Sequence, residues 1–506
     1  MLSIKDIVLF DGKKELQVND DVTVEISRNY EISIKSQLTP LSYIKIGFDV
    51  SISENTLILG DSWERAYGDL AWEKPNETKK MPWYFTAKDG NDIFCIGVKT
   101  NPNAFCYWQW EKEQVFLVID VRNGTNPIML NGRTLVACTV VHNYYTGDVH
   151  DAIHSFCKMM CENPRIPDRQ IYGGNDWYCN YGDNSFDKIL THAKRIVECS
   201  PKNAERPFMV IDDGWQLCHH DHNEPENYFN GGPWRYCNQN FGSMKKMAEE
   251  IEKAGAIPGL WFRPLLTIEK VNDECILSRS AQKITLDPST PKVLEMIKQD
   301  VRTIVSWGYK LIKHDFTTFD IFGQYGFGMT EDMFKEETSF YDKTKTTAEI
   351  VKTLYETIRG AAGEDVLLMG CNTFSHLSAG VFDLQRTGDD TSGLDWERTK
   401  KYGINTLAFR MCQHNAFYFA DADCVGITKE ISWELNKQWL DVLAKSGTAL
   451  FVSIAEDCYT EEIKKDITQA FANSVANTMQ SYPLDWEETI TPEKWKSYFG
   501  INCYKW

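Results

Sequence analysis

Short apolar runs in this sequence end, again and again, on acids, indoles and bases. "YKLIKHDF" closes on Lys313, His314 and Asp315, "PFMVIDDGW" on Asp212, Asp213 and Trp215, and "AIPGLWF" reaches Arg263 through Trp261. "IYGGNDW" closes on Asp176 and Trp177, "DVLLMGCN" on Cys371 and Asn372, "FDLQRTGDD" on Arg386, Asp389 and Asp390, and "AFYFADAD" on Asp421 and Asp423. Carboxylates set among indoles suit glycosidic bond cleavage, in which two acids flank the bond and aromatic faces carry the C–H surface of a sugar. If configuration is retained, one carboxylate attacks the anomeric carbon. The other protonates the leaving oxygen and then activates water, with the two about 5 to 5.5 Å apart. An adjacent lysine supports an anionic nucleophile, which selects Asp315 beside Lys313. The acid needs a raised pKa, and crowding within the pair Asp389 and Asp390 is a way to obtain it.

For these endings to form one site, the chain must gather them on one face. From about residue 165 onward, helical periodicity alternates with short apolar strands, the pattern of a parallel α/β architecture. In "SMKKMAEEIEKAG", Ser243 is placed to cap a helix, Met244, Met247, Ala248 and Ile251 share a face, and Gly255 can end it. "KVLEMIKQDVRTIVSWG" repeats the pattern with Leu294, Ile297, Val301 and Ile304 before Gly308. With "TALFVSIA" the strand candidates number eight. Eight such units predict a (β/α)8 barrel of the TIM type, whose reactive groups collect at the C-terminal ends of the strands. Before residue 150 the period is two. "DVTVEISR" puts Val22, Val24 and Ile26 on one face, and turn-rich joints such as "KDGND" separate similar runs, which predicts an antiparallel β-sandwich. The expected organisation is therefore multi-domain α and β: a sandwich over 1–160, a catalytic barrel over 165–480, and a tail or helix over 481–506.

Order and spacing of "VIDDGWQ", "GLWF", "LIKHDF", "MGCN" and "RTGDDTSGLDWERTKKYG" resemble the barrel motifs of family 36 glycoside hydrolases, the α-galactosidases and raffinose-synthase relatives of the clan shared with family 27. The resemblance covers roughly residues 170 to 455. It implies Asp315 as nucleophile and Asp389 as acid/base. It also implies that Asp212, Asp213 and Lys313 hold sugar hydroxyls, that Trp177, Trp215 and Trp261 wall the pocket, and that the β-rich N-terminal part is the family's supersandwich. Cys371, Asn372, Arg386 and Asp390 complete the expected substrate frame. Two departures bear on the sugar. Arg263 stands where the α-galactosidases usually carry a Glu, and "NTFSHLSAG" replaces a glycine-rich run. The C-terminal β-domain of the family is not expected here.

The implied activity is exo-acting, retaining cleavage of terminal α-galactosides without cofactor or metal. Alternatives are α-N-acetylgalactosaminide cleavage, galactosyl transfer of the raffinose-synthase kind, and sugar binding without turnover. Less pointed readings stand beside these. Asp315 can be a strand-end ion pair with Lys313, Asp389 can cap the next helix with Asp390 as the acid, and Trp177 and Trp261 can plug the barrel top. Arg410 and His414 either assist the site or pair with acids beneath it. "CHHDHNE", with His219, His220, Asp221 and His222, reads as a solvated loop in preference to a closed metal shell. "GDSWERAYGDLAWE" (Asp61, Trp63, Glu64, Arg65, Tyr67, Asp69, Trp72) either overhangs the barrel mouth to recognise the far side of a substrate or packs between domains.

Net charge of −18, from 54 basic and 72 acidic residues, argues against a nucleic-acid partner. No apolar run reaches membrane-spanning length, and the N-terminus lacks a leader pattern. Fifteen scattered cysteines, odd in number, fit a reducing compartment, so the cytoplasm is expected. A homo-oligomer stays open.

Overall fold

The computed structural model describes residues 3–16, 21–50, 53, 55–111, 114–218, 229–280, 283–477 and 479–506. The histidine-rich run at 219–222 lies outside them. Period-two alternation in the first part of the chain produces two six-stranded antiparallel sheets. One sets Lys14–Glu15, Ile4–Asp11, Tyr43–Phe48, Gln114–Asp120, Phe105–Glu111 and Met81–Pro82 side by side. The other sets Val22–Ile26, Glu31–Ser36, Thr134–Thr146, Asp92–Val98, Tyr84–Asp89 and Leu57–Gly60. In Val22–Ile26 the three apolar residues are half-buried, while Thr23 and Glu25 face solvent. The sheets meet through aromatic side chains. Phe48 of the first and Phe85 of the second both pack on Trp108, at centroid distances of 5.7 and 6.0 Å. Each such ring contributes about 2–3 kcal/mol by leaving water.

Helix Val149–Met160, capped by the Asp148 carboxylate on the Asp151 amide at 3.1 Å, leads into the barrel. Eight parallel strands close it: β1 Tyr172–Asn175, β2 Phe208–Ile211, β3 Ile257–Phe262, β4 Leu311–His314, β5 Leu367–Gly370, β6 Leu384–Arg386, β7 Phe419–Ile427 and β8 Ala449–Ile454. Each coincides with one of the apolar runs. Strands covered on both faces read as continuous hydrophobic stretches, and Val210, Leu311, Met369, Leu384 and Phe451 fill the interior from different strands. Ser243 caps helix Met244–Ala254 by accepting from the Lys246 amide, and Gly255 ends it at φ +103°. Thr290 caps Pro291–Ser306 in the same way.

Two elements differ from expectation. β7 does not stop at Asp423 but continues to Ile427, with a register shift between Asp421 and Cys424 and φ +73° at Asp423. A bulge re-aims the strand there, and the strain is offset by hydrogen bonds to the Asp423 carboxylate from Arg386 at 2.7 Å, the Thr391 amide at 2.9 Å and the Tyr178 hydroxyl. The C-terminal segment is neither tail nor helix. Tyr482–Pro483, Lys494–Ser497 and Gly500–Cys503 form a three-stranded antiparallel sheet. The reason is visible in "KWKS", where Trp495 and Ser497 are buried between exposed Lys494 and Lys496, a period of two. No helix among the described residues is long and apolar enough to cross a membrane.

Candidate active site

The C-terminal ends of β3, β4 and β5 converge on Asp315, which follows β4 directly. Its Oδ1 accepts from the amides of Phe316 at 2.8 Å and Asn372 at 3.2 Å, and its Oδ2 accepts from the Trp261 indole N–H at 3.0 Å. These donors come from β3, from the turn after β4 and from the segment after β5, so neighbouring strands fix the carboxylate from three directions. Phe316, the residue that turns the chain into helix Thr317–Phe322, adopts φ +62°. An aromatic residue held in that region marks stored strain next to the carboxylate.

Lys313 points into the mouth and forms an ion pair with Asp212 from the end of β2, Nζ to Oδ2 2.7 Å. Burial lowers the pKa of the ammonium, but the surrounding anions, Asp212 first, outweigh it, and the lysine lies well above its ordinary value. The same Asp212 oxygen accepts from Asn175 Nδ2 at 2.7 Å, and the other from the Asp213 amide at 2.9 Å. Asp176 stands behind, accepting from the Asp212 amide at 2.7 Å; burial raises its carboxyl to about 6. Asp213 turns away from Lys313 and accepts from Gln216 at 2.6 Å and Asn230 at 3.1 Å. The two adjacent aspartates therefore face different surroundings.

Across the mouth, after β6, Asp389 and Asp390 sit among guanidinium groups. Arg65 reaches Asp389 Oδ1 at 2.6 Å and Asp390 Oδ1 at 3.4 Å, Arg386 reaches Asp390 at 3.3 Å, and Arg398 approaches Asp389 at 3.7 Å. The expectation that mutual repulsion raises this pair is corrected for Asp390. Burial pushes its carboxyl up, yet Arg65 and Arg386 hold it down at about 2. Neither aspartate caps the following helix; Asp395 does, accepting from the Glu397 amide at 2.9 Å. Cys371 lies between Arg65 and Arg386, accepting from each at 3.5 Å. Burial, and then Asp315, push its thiol well above the ordinary range, so it is an uncharged acceptor.

No protein-family profile matches the chain. Solved structures do match it along nearly its whole length. TtGalA, an α-galactosidase from Thermus thermophilus in complex with p-nitrophenyl α-D-galactopyranoside, shares 16% identity over 99% of both chains with a TM-score of 0.62. A variant of the GH36 α-galactosidase AgaA from Geobacillus stearothermophilus, bound to 1-deoxygalactonojirimycin, shares 13% identity over 98% of this chain and 77% of its own, with a TM-score of 0.60. The galactosidase domain of the α-galactosidase-sucrose kinase AgaSK shares 14% identity over 98% of this chain and 76% of its own, TM-score 0.58. The fold is that of the GH36 α-galactosidases.

On this GH36 fold the remaining expected site residues take distinct places. Trp177 is half-buried on the short helix after β1, its ring 5.6 Å from that of Tyr181. Trp261 is fully buried, and its indole N–H is the group that meets Asp315. Trp215, also buried, stands behind it and donates to the Trp261 carbonyl at 3.0 Å. Arg263 forks onto both oxygens of Asp320, donates to Asn230 Oδ1 and lies 4.1 Å over the Phe316 ring. Asn372 adds its side-chain oxygen to the Phe319 amide at 3.1 Å. Arg410 is occupied with Asp61 at 2.8 Å, and His414 accepts from the Ala420 amide at 3.1 Å.

Sequence reasoning missed Asp320, Asn230 and the aromatic pair Tyr325 and Phe327 that joins Tyr67; the loop carrying Glu64, Arg65 and Tyr67 lies at the barrel mouth, one of the two readings its sequence allowed. Tyr67 and Phe327 lie 5.0 Å apart, and Tyr325 packs 4.8 Å from Phe319. A signal for Asp320 existed: "DFTTFD" sets a second aspartate five residues after Asp315. For Tyr325 and Phe327 there was none, because they lie in a short connecting segment, Phe327 within the single 3-10 turn Gly326–Gly328.

Proposed function

We propose that the protein is a retaining, exo-acting glycoside hydrolase that removes terminal α-galactosyl groups by double displacement, with Asp315 as nucleophile and Asp389 as acid/base. The observation that supports this most is the Asp315 carboxylate, oriented by three N–H donors at the end of β4, with arginine-held carboxylates beyond β6, on a fold in which TtGalA binds p-nitrophenyl α-D-galactopyranoside. In the first step an Asp315 oxygen bonds to the anomeric carbon as the bond to the leaving oxygen breaks, and Asp389 gives that oxygen its proton. In the second, Asp389 takes a proton from water, the water oxygen bonds to the same carbon, and the Asp315 ester opens. The two carboxylates carry both steps without a cofactor.

The Asp212–Lys313 pair offers an acceptor and a donor to sugar hydroxyls. Asp213, Trp177, Trp215, Trp261, Arg263, Cys371, Asn372, Arg386 and Asp390 shape the frame around them. The test is hydrolysis of 4-nitrophenyl α-galactoside, α-N-acetylgalactosaminide and α-glucoside by wild type and by Asp315→Ala. Galactoside cleavage that disappears in the variant is the expected result. Cleavage by Asp315→Ala would remove the nucleophile assignment, and preference for another sugar would remove the galactose assignment. Product in which the sugar moves to an added sugar acceptor and not to water would turn the reading to transfer. The fifteen cysteines are all free thiols, which supports the cytoplasm as the place of action.

A further inference from the structure

Three consecutive residues of the N-terminal sandwich enter the barrel mouth after strand Leu57–Gly60. Glu64 is wholly buried, and its carboxylate accepts from Asn372 Nδ2, from the Tyr67 hydroxyl and from the Gly326 amide at 2.8 Å. Asn372 is the residue whose backbone amide donates to Asp315. Arg65, 6% exposed, places its guanidinium 2.6 Å from Asp389 and 3.4 Å from Asp390, with Nε 3.4 Å from the Tyr67 hydroxyl. Ala66 joins the barrel by its backbone: its amide donates to the Thr387 carbonyl at 2.8 Å, and its carbonyl accepts from the Asp389 amide at 3.0 Å. Between these two hydrogen bonds lies Gly388, packed so closely on the following helical segment that a Cβ would lie 2.0 Å from the Tyr402 carbonyl oxygen.

We infer that the pair Glu64–Arg65 positions both reacting carboxylates, Glu64 acting on Asp315 through Asn372 and Arg65 acting on Asp389 directly, so that the sandwich completes the active centre of the barrel. The inference rests on the hydrolase reading above and assigns positioning roles, since neither residue reacts. The two roles differ in kind. A guanidinium beside an acid/base stabilises its anionic form and fixes its direction, so it governs steps in which a proton moves. A buried carboxylate that grips an asparagine side chain governs where the nucleophile's N–H donor stands, and so affects attack on the sugar whatever the leaving group.

The experiment compares Arg65→Ala, Arg65→Lys and Glu64→Gln with wild type on an activated aryl galactoside and on an unactivated galactosyl disaccharide, across pH. For Arg65→Ala, kcat on the disaccharide should fall about ten- to a hundredfold, the worth of a charge-assisted hydrogen bond, with KM little changed and a smaller loss on the aryl substrate. The alkaline limb of kcat/KM should move to higher pH, because a cation that favoured loss of the proton is gone, and Arg65→Lys should return it toward wild type. For Glu64→Gln both substrates should lose kcat equally, with the limb unmoved. An unmoved limb and equal losses in Arg65→Ala would overturn the role of Arg65, and a leaving-group-dependent loss in Glu64→Gln would overturn that of Glu64. A readout without substrate separates this from the choice of reaction. In substrate-free crystals of Arg65→Ala, the Asp389 carboxylate should leave the place it holds beside the guanidinium in wild type. A wild type silent on all galactosides sinks the hydrolase reading, whereas an unmoved Asp389 carboxylate sinks the inference.

Discussion

The β4 and β6 sides of the barrel mouth hold their carboxylates by different means. At β4, Asp315 meets three neutral N–H groups, two of them backbone amides. At β6, Asp389 and Asp390 meet guanidinium groups, one of which comes from another domain. Neutral dipoles fixed by strand ends need no reorganisation and are little affected by salt. In the proposed reaction the nucleophile keeps one charge state until it bonds, which suits such a rigid cradle. The proposed acid/base must gain and lose a proton in every turnover, and the β6 side sets beside it a cation carried in from a separate domain.

The sharpest way to break this contrast is to delete each carboxylate. Asp315→Ala should lower kcat by about four orders of magnitude or more on every substrate, with an unaltered circular dichroism spectrum; activity within a hundredfold of wild type would end the assignment of β4 as the nucleophile side. Asp389→Ala should cost about 10²- to 10⁴-fold on disaccharides and far less for glycosylation by an activated aryl galactoside. Equal losses on both would mean that β6 does not supply the proton. Trp261→Phe keeps the ring and removes one N–H from Asp315, and should lower kcat by about tenfold to a hundredfold on aryl and disaccharide substrates alike. A loss confined to disaccharides would show the two sides to be less separate than their geometry indicates.

The smallest effect supplies the baseline against which pH limbs are read. His192, buried in helix Phe186–Cys199 away from the mouth, is pushed by burial, with help from Arg195, down to about 3. Its folded pKa lies below its unfolded value of about 6.5. It therefore contributes stability that is complete above that value and is lost as pH falls toward 3. Between pH 7.5 and 5 the loss is about 2 kcal/mol. In His192→Leu the decline in unfolding free energy over that range should be shallower by this amount, and parallel curves for variant and wild type would refute it.

Much of this was legible in the residues. Strands such as Phe208–Ile211 and Ala449–Ile454 were readable because parallel strands buried on both faces leave apolar runs, whereas Tyr172–Asn175 and Leu384–Arg386 were readable only by their place in the alternation with helices; the Ser243 and Gly255 helix ends were readable because caps are local chemistry. "LIKHDF" announced its aspartate because the polar residues follow the run at once. Two features were not decided by local residues, for a shared reason. The bulge at Asp423 and the choice between an overhanging and a packing loop for Glu64 and Arg65 depend on partners far away in the chain. The sequence showed that "GDSWERAYGDLAWE" breaks the strand pattern, but only the fold reveals that Arg65 lies beside residues more than three hundred positions later. The crowding of Asp389 and Asp390 misled because the cations that relieve it lie partly in that same distant loop.

The backbone link between Ala66 and β6 also bears on how such a chain can be inherited. A domain boundary near residue 160 looks like a natural crossover point for recombination, yet an exchange there would pair a foreign loop with the native Gly388 and Asp389. Chimeric libraries cut at that boundary should yield many folded but few active members, and moving the native 60–70 segment along with the barrel should recover them. Recovery by that segment would make sandwich and barrel two domains in architecture and one unit of inheritance.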